Sequence, residues 1–367
     1  MKLHSRFTTP LELLPNDPRM RSGDFLLQEA EEPLHFQPPI DNVLDPVDGA
    51  LIIPNNTVAG LKHLGEQRRK SGVVTKYEVT MQNNARYFLL HATPKHLKTD
   101  VGITQTTPWV TSLGGLNRRV LHSQLDAGMY GSLLSIAQQA GYKPSLEQAA
   151  HNQLAIERFL AERVDHERDP DNIIIKGISR GAMIGIAMGA LAEQHDWKVM
   201  YSDLTVPCFP NKLDALQTAG KLPAMFRDEV AALMNLRNIP LRALRHYTGT
   251  LDTSREGLRY AIATIPELTS GNTGRLADSI PEDASAYIIG FEGDVMSDME
   301  EWERRMKDRP NIIVDTRLGG AHATCFHEDI YQESKTRMFE LPRHINTAKA
   351  NQQTKLGRTA IEEMLAA

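Results

Sequence analysis

Apolar positions fall into two alternating kinds of pattern between Val73 and Thr316. Val73 to Met81 alternates apolar and polar side chains, Asn83-Asn84 makes a turn, and Ala85 to Ala92 is a second run, which together predict an antiparallel hairpin. Pro108 to Leu113 reads as a third strand, broken at Gly114-Gly115-Leu116-Asn117-Arg118-Arg119. A helix is expected from about Tyr130 to Ala140, ended by Gly141. Ser145, paired with Gln148 in a capping-box-like arrangement, starts a long helix to about Arg163. Ile173, Ile174 and Ile175 form a short continuous apolar run, as in a central strand buried on both faces. Val199 to Val206, Ala286 to Phe291 and Ile312 to Thr316 are further strands, and a charged helix carrying Trp302, Met299 to Arg309, lies between the last two. Strands alternating with helices give an α/β fold class, a mainly parallel sheet with helices on both faces.

The flanks and one interior stretch break this rhythm. Residues 1–50 are irregular and rich in proline (Pro33, Pro38, Pro39, Pro46), and Thr57 to Lys70 reads as a polar helix with basic residues near its C-terminal end. Residues 1–72 form an N-terminal extension, of which residues 1–50 wrap a surface or serve an oligomer contact, as in a homo-oligomer. Between Pro207 and Asp283 the pattern loosens into helical stretches at Leu213 to Thr218, Pro223 to Leu236 and Arg255 to Ile265. The expected organisation is a core of residues 73–207 and 284–345, a mostly helical cap or lid at 208–283, and a helical tail at 346–367. A cap inserted there sits above the C-terminal strand ends, where ligands bind in open α/β sheets. Leu222, Met225, Phe226, Leu233, Met234 and Leu236 either line an acyl pocket or hold the cap onto the core.

The densest chemical signal follows the isoleucine run. Gly177-Ile178-Ser179-Arg180-Gly181 is a Gly-x-Ser-x-Gly motif, and a small-residue helix begins at once, with Gly181, Gly185 and Gly189 recurring every four residues. A serine nucleophile has to stand clear of the backbone on a tight turn, and tiny neighbours let strand and helix approach. The helix also aims its N-terminal amides at the serine, ready for a developing oxyanion. The alternative is a tight strand–turn–helix in which Ser179 is an ordinary helix cap.

A serine hydroxyl needs a base, and the base an orienting carboxylate. Tyr287-Ile-Ile-Gly290-Phe291-Glu292-Gly293-Asp294 is a strand ending in a glycine-bracketed loop with an acid. Ile312-Ile-Val-Asp-Thr-Arg-Leu-Gly319-Gly320-Ala321-His322 is a strand ending in a glycine loop with a histidine. Both candidates fall at C-terminal strand ends, on the edge that carries Ser179. Asp298 and Asp252 are rival acids, and His327 and His246 rival bases. Asp298 suits the first turn of the next helix for dipole reasons alone. His327 precedes Glu328-Asp329, but its spacing from His322 does not match a zinc helix motif.

At these residues the chain resembles the α/β-hydrolase superfamily, over roughly Val73 to Phe339. The order Ser, Asp, His along the chain is that of the family. The resemblance implies Ser179 as nucleophile, His322 as general base and then acid, and Asp294 as the carboxylate that fixes the imidazole. It implies an oxyanion hole from the N–H of Arg180 and a second N–H, from Gly115 or Leu116, in the loop after the third strand. The usual His-Gly of that loop reads Leu113-Gly114 or Gly114-Gly115 here. Arg118, Arg119 and Arg180 could form a basic rim that binds a substrate carboxylate or phosphate, or could make surface ion pairs.

Bulk properties agree with this class and exclude others. The chain has 367 residues, 41% hydrophobic and 24% charged, as in ordinary soluble globular proteins. Its net charge of −5 argues against a nucleic-acid surface. Cys208 and Cys325 give no disulfide framework and read as buried free thiols. The apolar stretch Ala182 to Ala192 is too short to span a bilayer, and the N-terminus has no apolar signal core, so a cytoplasmic protein is expected. The resulting expectation is a serine hydrolase acting on a small-molecule ester or related acyl compound, with no cofactor and no metal. A peptidase, thioesterase or acyltransferase would use the same triad, and a non-catalytic binding protein could keep the scaffold.

Overall fold

The computed structural model describes residues 57–82, 85–106, 115–134, 145–214, 266–326 and 332–338, with two dipeptide strands near the N-terminus and isolated positions within 217–223 and at 330. Among them eleven strands form one sheet. They are β1 (Phe25–Leu26), β2 (Leu34–His35), β3 (Val58–Arg69), β4 (Gly72–Met81), β5 (Arg86–Pro94), β6 (Gly102–Thr106), β7 (Gly131–Leu134), β8 (Asn172–Ile178), β9 (Lys198–Thr205), β10 (Ser285–Phe291) and β11 (Ile312–Arg317). The helices are α1 (Gly115–Asp126), α2 (Leu146–Arg163), α3 (Arg180–Leu191), α4 (Asn272–Asp278) and α5 (Met299–Met306).

The strand order is β1-β3-β4-β5-β7-β6-β8-β9-β10-β11, with β2 also paired to β3. Every pair from β7 to β11 is parallel, and every pair from β1 to β7 on the other side is antiparallel. From β6 the chain steps one way to β7 and then returns to the other side of β6 with β8. Crevices at such reversals, outside the carboxyl ends of the strands, are where open α/β sheets bind ligands.

β8 lies in the middle of this arrangement. Ile173 and Ile175 pack into one core with α2, α3, α5 and Trp197, while Ile174 packs into the core on the opposite face with Ile103, Tyr201, Ile289 and Met338. All three isoleucines are fully buried, which is why the strand reads as a continuous apolar run. Ser145 caps α2, its hydroxyl accepting from the Gln148 N–H at 3.1 Å, whereas the Gln148 side chain donates to Asn152. On the second face, residues 332–338 are held by Arg337 and Ser334, both donating to the buried Asp203 of β9.

Several sequence expectations are corrected. Thr57 to Lys70 is not a helix: residues 58–69 form β3, so the sheet starts inside the stretch assigned to the extension. Register shifts at Val58/Gly60 and at His63/Gly65 interrupt the side-chain alternation, and so hide the strand period. Tyr130 to Ala140 was expected to be helical, but Gly131–Leu134 is β7, buried between β5 and β6. A Cβ on Gly131 would meet the end of the Gln124 side chain of α1, which would have to move aside. Gly102–Thr106 is a further strand that the sequence pattern did not mark, and the glycine-rich segment opens α1 at Gly115. Pro108 to Leu113, most of the cap at 208–283 and the tail at 346–367 lie outside the described residues. No helix among the described residues is long and apolar enough to cross a membrane.

One packing contact makes the fold sensitive to acid. His151 of α2 and His195, in the turn after α3, bring Nδ1 and Nε2 to 2.8 Å. A bond between two imidazoles needs one ring to donate and the other to accept, so protonating the acceptor breaks it and sets two cations together. Burial, then the neighbouring His151 and Arg158, lower His195 to about 4 against the partial pull of Asp196. Burial also lowers His151, with Glu147 opposing. An unfolded histidine takes its proton near the ordinary value of about 6.5. Between about 6.5 and 4 the unfolded chain therefore binds more protons, and stability falls as the pH drops through that window. Urea midpoints of the wild type should decline from pH 7 to pH 4.5, and those of His195→Gln should decline less. An equal decline in both would show that the pair carries no linkage.

Candidate active site

Ser179 leaves the carboxyl end of β8 in a conformation that side chains rarely adopt, with φ 56° and ψ −127°. The Ser179 N–H donates to the Thr205 carbonyl at 2.9 Å, and the Ser179 carbonyl accepts from Ala182 N–H at 2.8 Å, so the turn is held from both sides. The close approach of β8, β9 and α3 accounts for Gly177 of the motif and for Gly185 one turn further on. A Cβ on Gly177 would lie 2.6 Å from Ala182 Cα, and one on Gly185 would lie 2.7 Å from a Leu204 methyl. The Ser179 hydroxyl makes no capping bond to α3. It lies instead 2.8 Å from His322 Nε2.

His322 sits in a 3-10 turn (His322–Phe326) after β11. Gly319 and Gly320 (φ 67° and 79°) swing the chain back over the sheet edge in left-handed conformations. The turn is fixed by Ala321 N–H donating to Thr324 Oγ1 at 2.8 Å. His322 Nδ1 lies 2.8 Å from Asp294 Oδ2. An ionised carboxylate can only accept, so this bond puts the proton on Nδ1 and leaves Nε2 able to accept from the serine.

Asp294 is 4% exposed, in the loop after β10. Besides His322, Oδ2 accepts from the Ser297 hydroxyl at 2.6 Å, and Oδ1 accepts from Met296 N–H at 2.9 Å and Ser297 N–H at 3.3 Å. Burial alone would raise this carboxyl, but His322 and the hydrogen bonds outweigh it and hold it below its ordinary value. The acid and histidine loops touch through backbone: a Cβ on Gly293 would collide with the Gly320 carbonyl oxygen.

The structure thus brings together Ser179, His322 and Asp294. Arg180 supplies the first residue of α3, and Gly115 and Leu116 open α1. Arg180 is not on a basic rim: its side chain is buried and pairs with Glu267. Asp298 does not face His322. It precedes α5 in a left-handed conformation and forms an ion pair with Lys221 at 3.6 Å. The side chains of Arg118 and Arg119, and Met225, Phe226, His246, Asp252 and His327, lie outside the described residues.

Two further residues at the site, Ser297 and Val206, escaped sequence reasoning, and Cys208, read there as a buried free thiol, also lies at the site. Ser297 secures the acid. Val206 is left-handed (φ 49°) where the chain leaves β9, its N–H donating to the Ile289 carbonyl at 2.7 Å. Cys208 is buried close by; burial, then the Asp294 charge, push its thiol up to about 12, against the influence of Ser179 and Arg180. It is therefore a thiol, not a competing thiolate, at neutral pH. Only a Ser three residues after Asp294 was visible as a sequence signal, and nothing distinguished it from an ordinary turn residue.

Ser297→Ala removes a hydroxyl from a buried carboxylate and should lower stability by about 1.5–3 kcal/mol, the range for hydrogen bonds to charged groups. Gly293→Ala should part the two loops and disorder His322 while β10 and β11 stay intact. Denaturant melts and the histidine resonances of the two variants test this, and unchanged spectra and midpoints would refute it.

No protein-family model and no curated protein matches the sequence. Solved structures are similar to it at low identity. An arylesterase is 17% identical, covering 76% of this chain and 87% of its own, with a TM-score of 0.47. An esterase from Pyrococcus furiosus is 13% identical over 74% and 90%, with a TM-score of 0.46. A peroxisomal alpha-beta-hydrolase from Saccharomyces cerevisiae is 11% identical over 77% and 88%, with a TM-score of 0.49. The chain's own geometry carries the fold assignment: a parallel sheet, a serine on a strained strand-to-helix turn at its carboxyl edge, and an acid and a histidine following in that order on later strand ends. The chain has an α/β-hydrolase fold.

Proposed function

We propose that the protein is a serine hydrolase that cleaves an ester or related acyl bond through an acyl-enzyme. The observation that carries this reading is the continuous relay from Ser179 through His322 to Asp294, with both bonds at 2.8 Å. Nε2 takes the hydroxyl proton as Ser179 Oγ attacks the acyl carbon, and Asp294 stabilises the imidazolium that results. The oxyanion faces the Arg180 N–H and a second amide from Gly115 or Leu116. Collapse of the tetrahedral intermediate breaks the bond to the leaving group, which takes the proton from His322. Water then attacks the acyl-enzyme by the same route, releasing the acid and restoring Ser179. The reading needs no cofactor or metal.

A fluorophosphonate probe should label Ser179 in the wild type, and peptide mapping should place the adduct there. Ser179→Ala should abolish labelling, and His322→Ala should slow it strongly. Either change should lower ester hydrolysis by about three to six orders of magnitude, as for other triads. Folded wild-type protein that takes no label would favour a binding protein on this scaffold. A Ser179→Ala protein with full activity would refute the assignment.

We also assign the insertion after β9 to substrate selection. Its two limbs meet where Lys212 bridges Ser270 and Leu213 N–H donates to the Thr269 carbonyl at 2.9 Å, so it leaves and rejoins the core at one place. Replacing residues 216–264 with a short Gly-Ser linker should change the preference for acyl chain length in a series of p-nitrophenyl esters. An unchanged preference would sink this role.

A further inference from the structure

Arg180 is a costly residue for its position. The elbow needs small neighbours, yet directly after the nucleophile stands an arginine whose side chain is 3% exposed. Its Nε and Nη2 donate to Glu267 Oε2 at 3.2 and 2.9 Å, and the Glu267 side chain is itself only 11% exposed. Burying two charges costs several kcal/mol per ion before their attraction is counted, and an apolar pair of similar volume often does as well for stability. What an apolar pair does not supply is direction, because a charge-assisted contact made by a planar guanidinium fixes the orientation of its donor.

Glu267 is held by its backbone as firmly as by its side chain. Its carbonyl accepts from the Ser270 hydroxyl at 2.8 Å and from the Ser270 N–H at 3.3 Å. Ser270 is the residue that bridges Lys212 at the base of the insertion. The outgoing limb starts at Cys208 and Phe209, both buried, and the charge of Arg180 acts on the Cys208 thiol. The returning limb of the insertion therefore bonds directly to the residue after Ser179, at the point where the two limbs meet.

We propose that Glu267 is a positioning residue for acyl transfer: by holding the Arg180 side chain it fixes the peptide N–H that follows the nucleophile, and it ties that amide to the base of the insertion. The inference rests on the serine-hydrolase reading above. Oxyanion donors act only when they point at the place where charge develops, and an error of about 1 Å in such a group can cost about 100-fold. The ground-state ester has little charge on its carbonyl oxygen, so loss of the tie falls on kcat rather than KM.

The test compares wild type, Glu267→Gln and Glu267→Ala with a short p-nitrophenyl ester, a trifluoromethyl ketone that adds to the serine as a tetrahedral adduct, a fluorophosphonate label and a thermal melt. Glu267→Ala should lower kcat by about tenfold with KM within about twofold, and should weaken the ketone by a similar factor. Glu267→Gln, which keeps an acceptor without the charge, should recover part of both. If Glu267→Ala folds poorly, Arg180→Lys keeps the charges, removes the planar fork, and should show the same kcat-selective loss. Overturning results are kcat and ketone affinity within twofold of wild type, or losses that only track the folded fraction. Wild-type protein that takes no label overturns the hydrolase reading and this inference together, whereas labelled, active wild type with unchanged variants overturns the inference alone.

Discussion

The left-handed backbone at Ser179 is the constraint around which the rest is arranged. A non-glycine residue at φ 56° and ψ −127° costs about 1–3 kcal/mol, and such strain persists only where the surroundings over-determine it. Here they do. β8 is hydrogen-bonded on both sides, to β6 and β9, and packed on both faces, so it cannot shift to relieve the turn. α3 cannot move away either, because Gly185 lets it lie against Leu204 and Ile175 while Met183, Ile186 and Ala187 are buried in the same core. The serine is thus pushed out from the sheet edge between two buried, closely packed elements.

The same logic extends to the neighbouring strand ends. Val206 also carries a positive φ, unusual for a β-branched side chain, and it lies one residue beyond the carbonyl that accepts from Ser179 N–H. Two strained residues side by side mean that the sheet edge is shaped here at the expense of local comfort. The loops after β10 and β11 are less strained but closely interlocked: Glu292 N–H donates to the Arg317 carbonyl at 2.9 Å, and Gly293 lies against Gly320. Parallel pairing of β10 with β11 keeps both loops on the same edge, and so sets the separation of Asp294 and His322 before any side chain is chosen.

How much of this could be read from the sequence depended on whether local and tertiary signals agreed. β8, β10 and β11 are short apolar runs that end in glycine loops, and the three polar residues on those loops do stand together. α2 announced itself through Ser145. β3 and β7 did not, for different reasons. β3 is polar because it lies in the antiparallel half beside the short β1 and β2, and its register shifts break the alternation that would have revealed it. β7 is a four-residue Gly-Ser-Leu-Leu segment whose strand character comes wholly from its neighbours β5 and β6. Nothing in the sequence singled out Ser297 or Glu267, because their importance lies in what they touch: a buried carboxylate three residues back, and a guanidinium 87 residues away.

Those two residues also show where an enzyme of this architecture would keep its precision. Asp294 and Arg180 are both buried and both held by partners outside the relay, one from the next turn and one from the far limb of an insertion. A buried charge with a single flexible partner would leave its geometry to thermal motion. Additional partners on rigid backbone narrow it, and each also removes part of the desolvation penalty. The acid is secured within its own loop, so its orientation is local and independent of any substrate. The residue after the nucleophile is secured by the insertion, so its orientation depends on how that insertion sits. Under the proposed serine-hydrolase function, with the insertion selecting substrate, this difference makes the Arg180 amide, rather than the Ser179–His322–Asp294 relay, the part of the site that can register what has been bound.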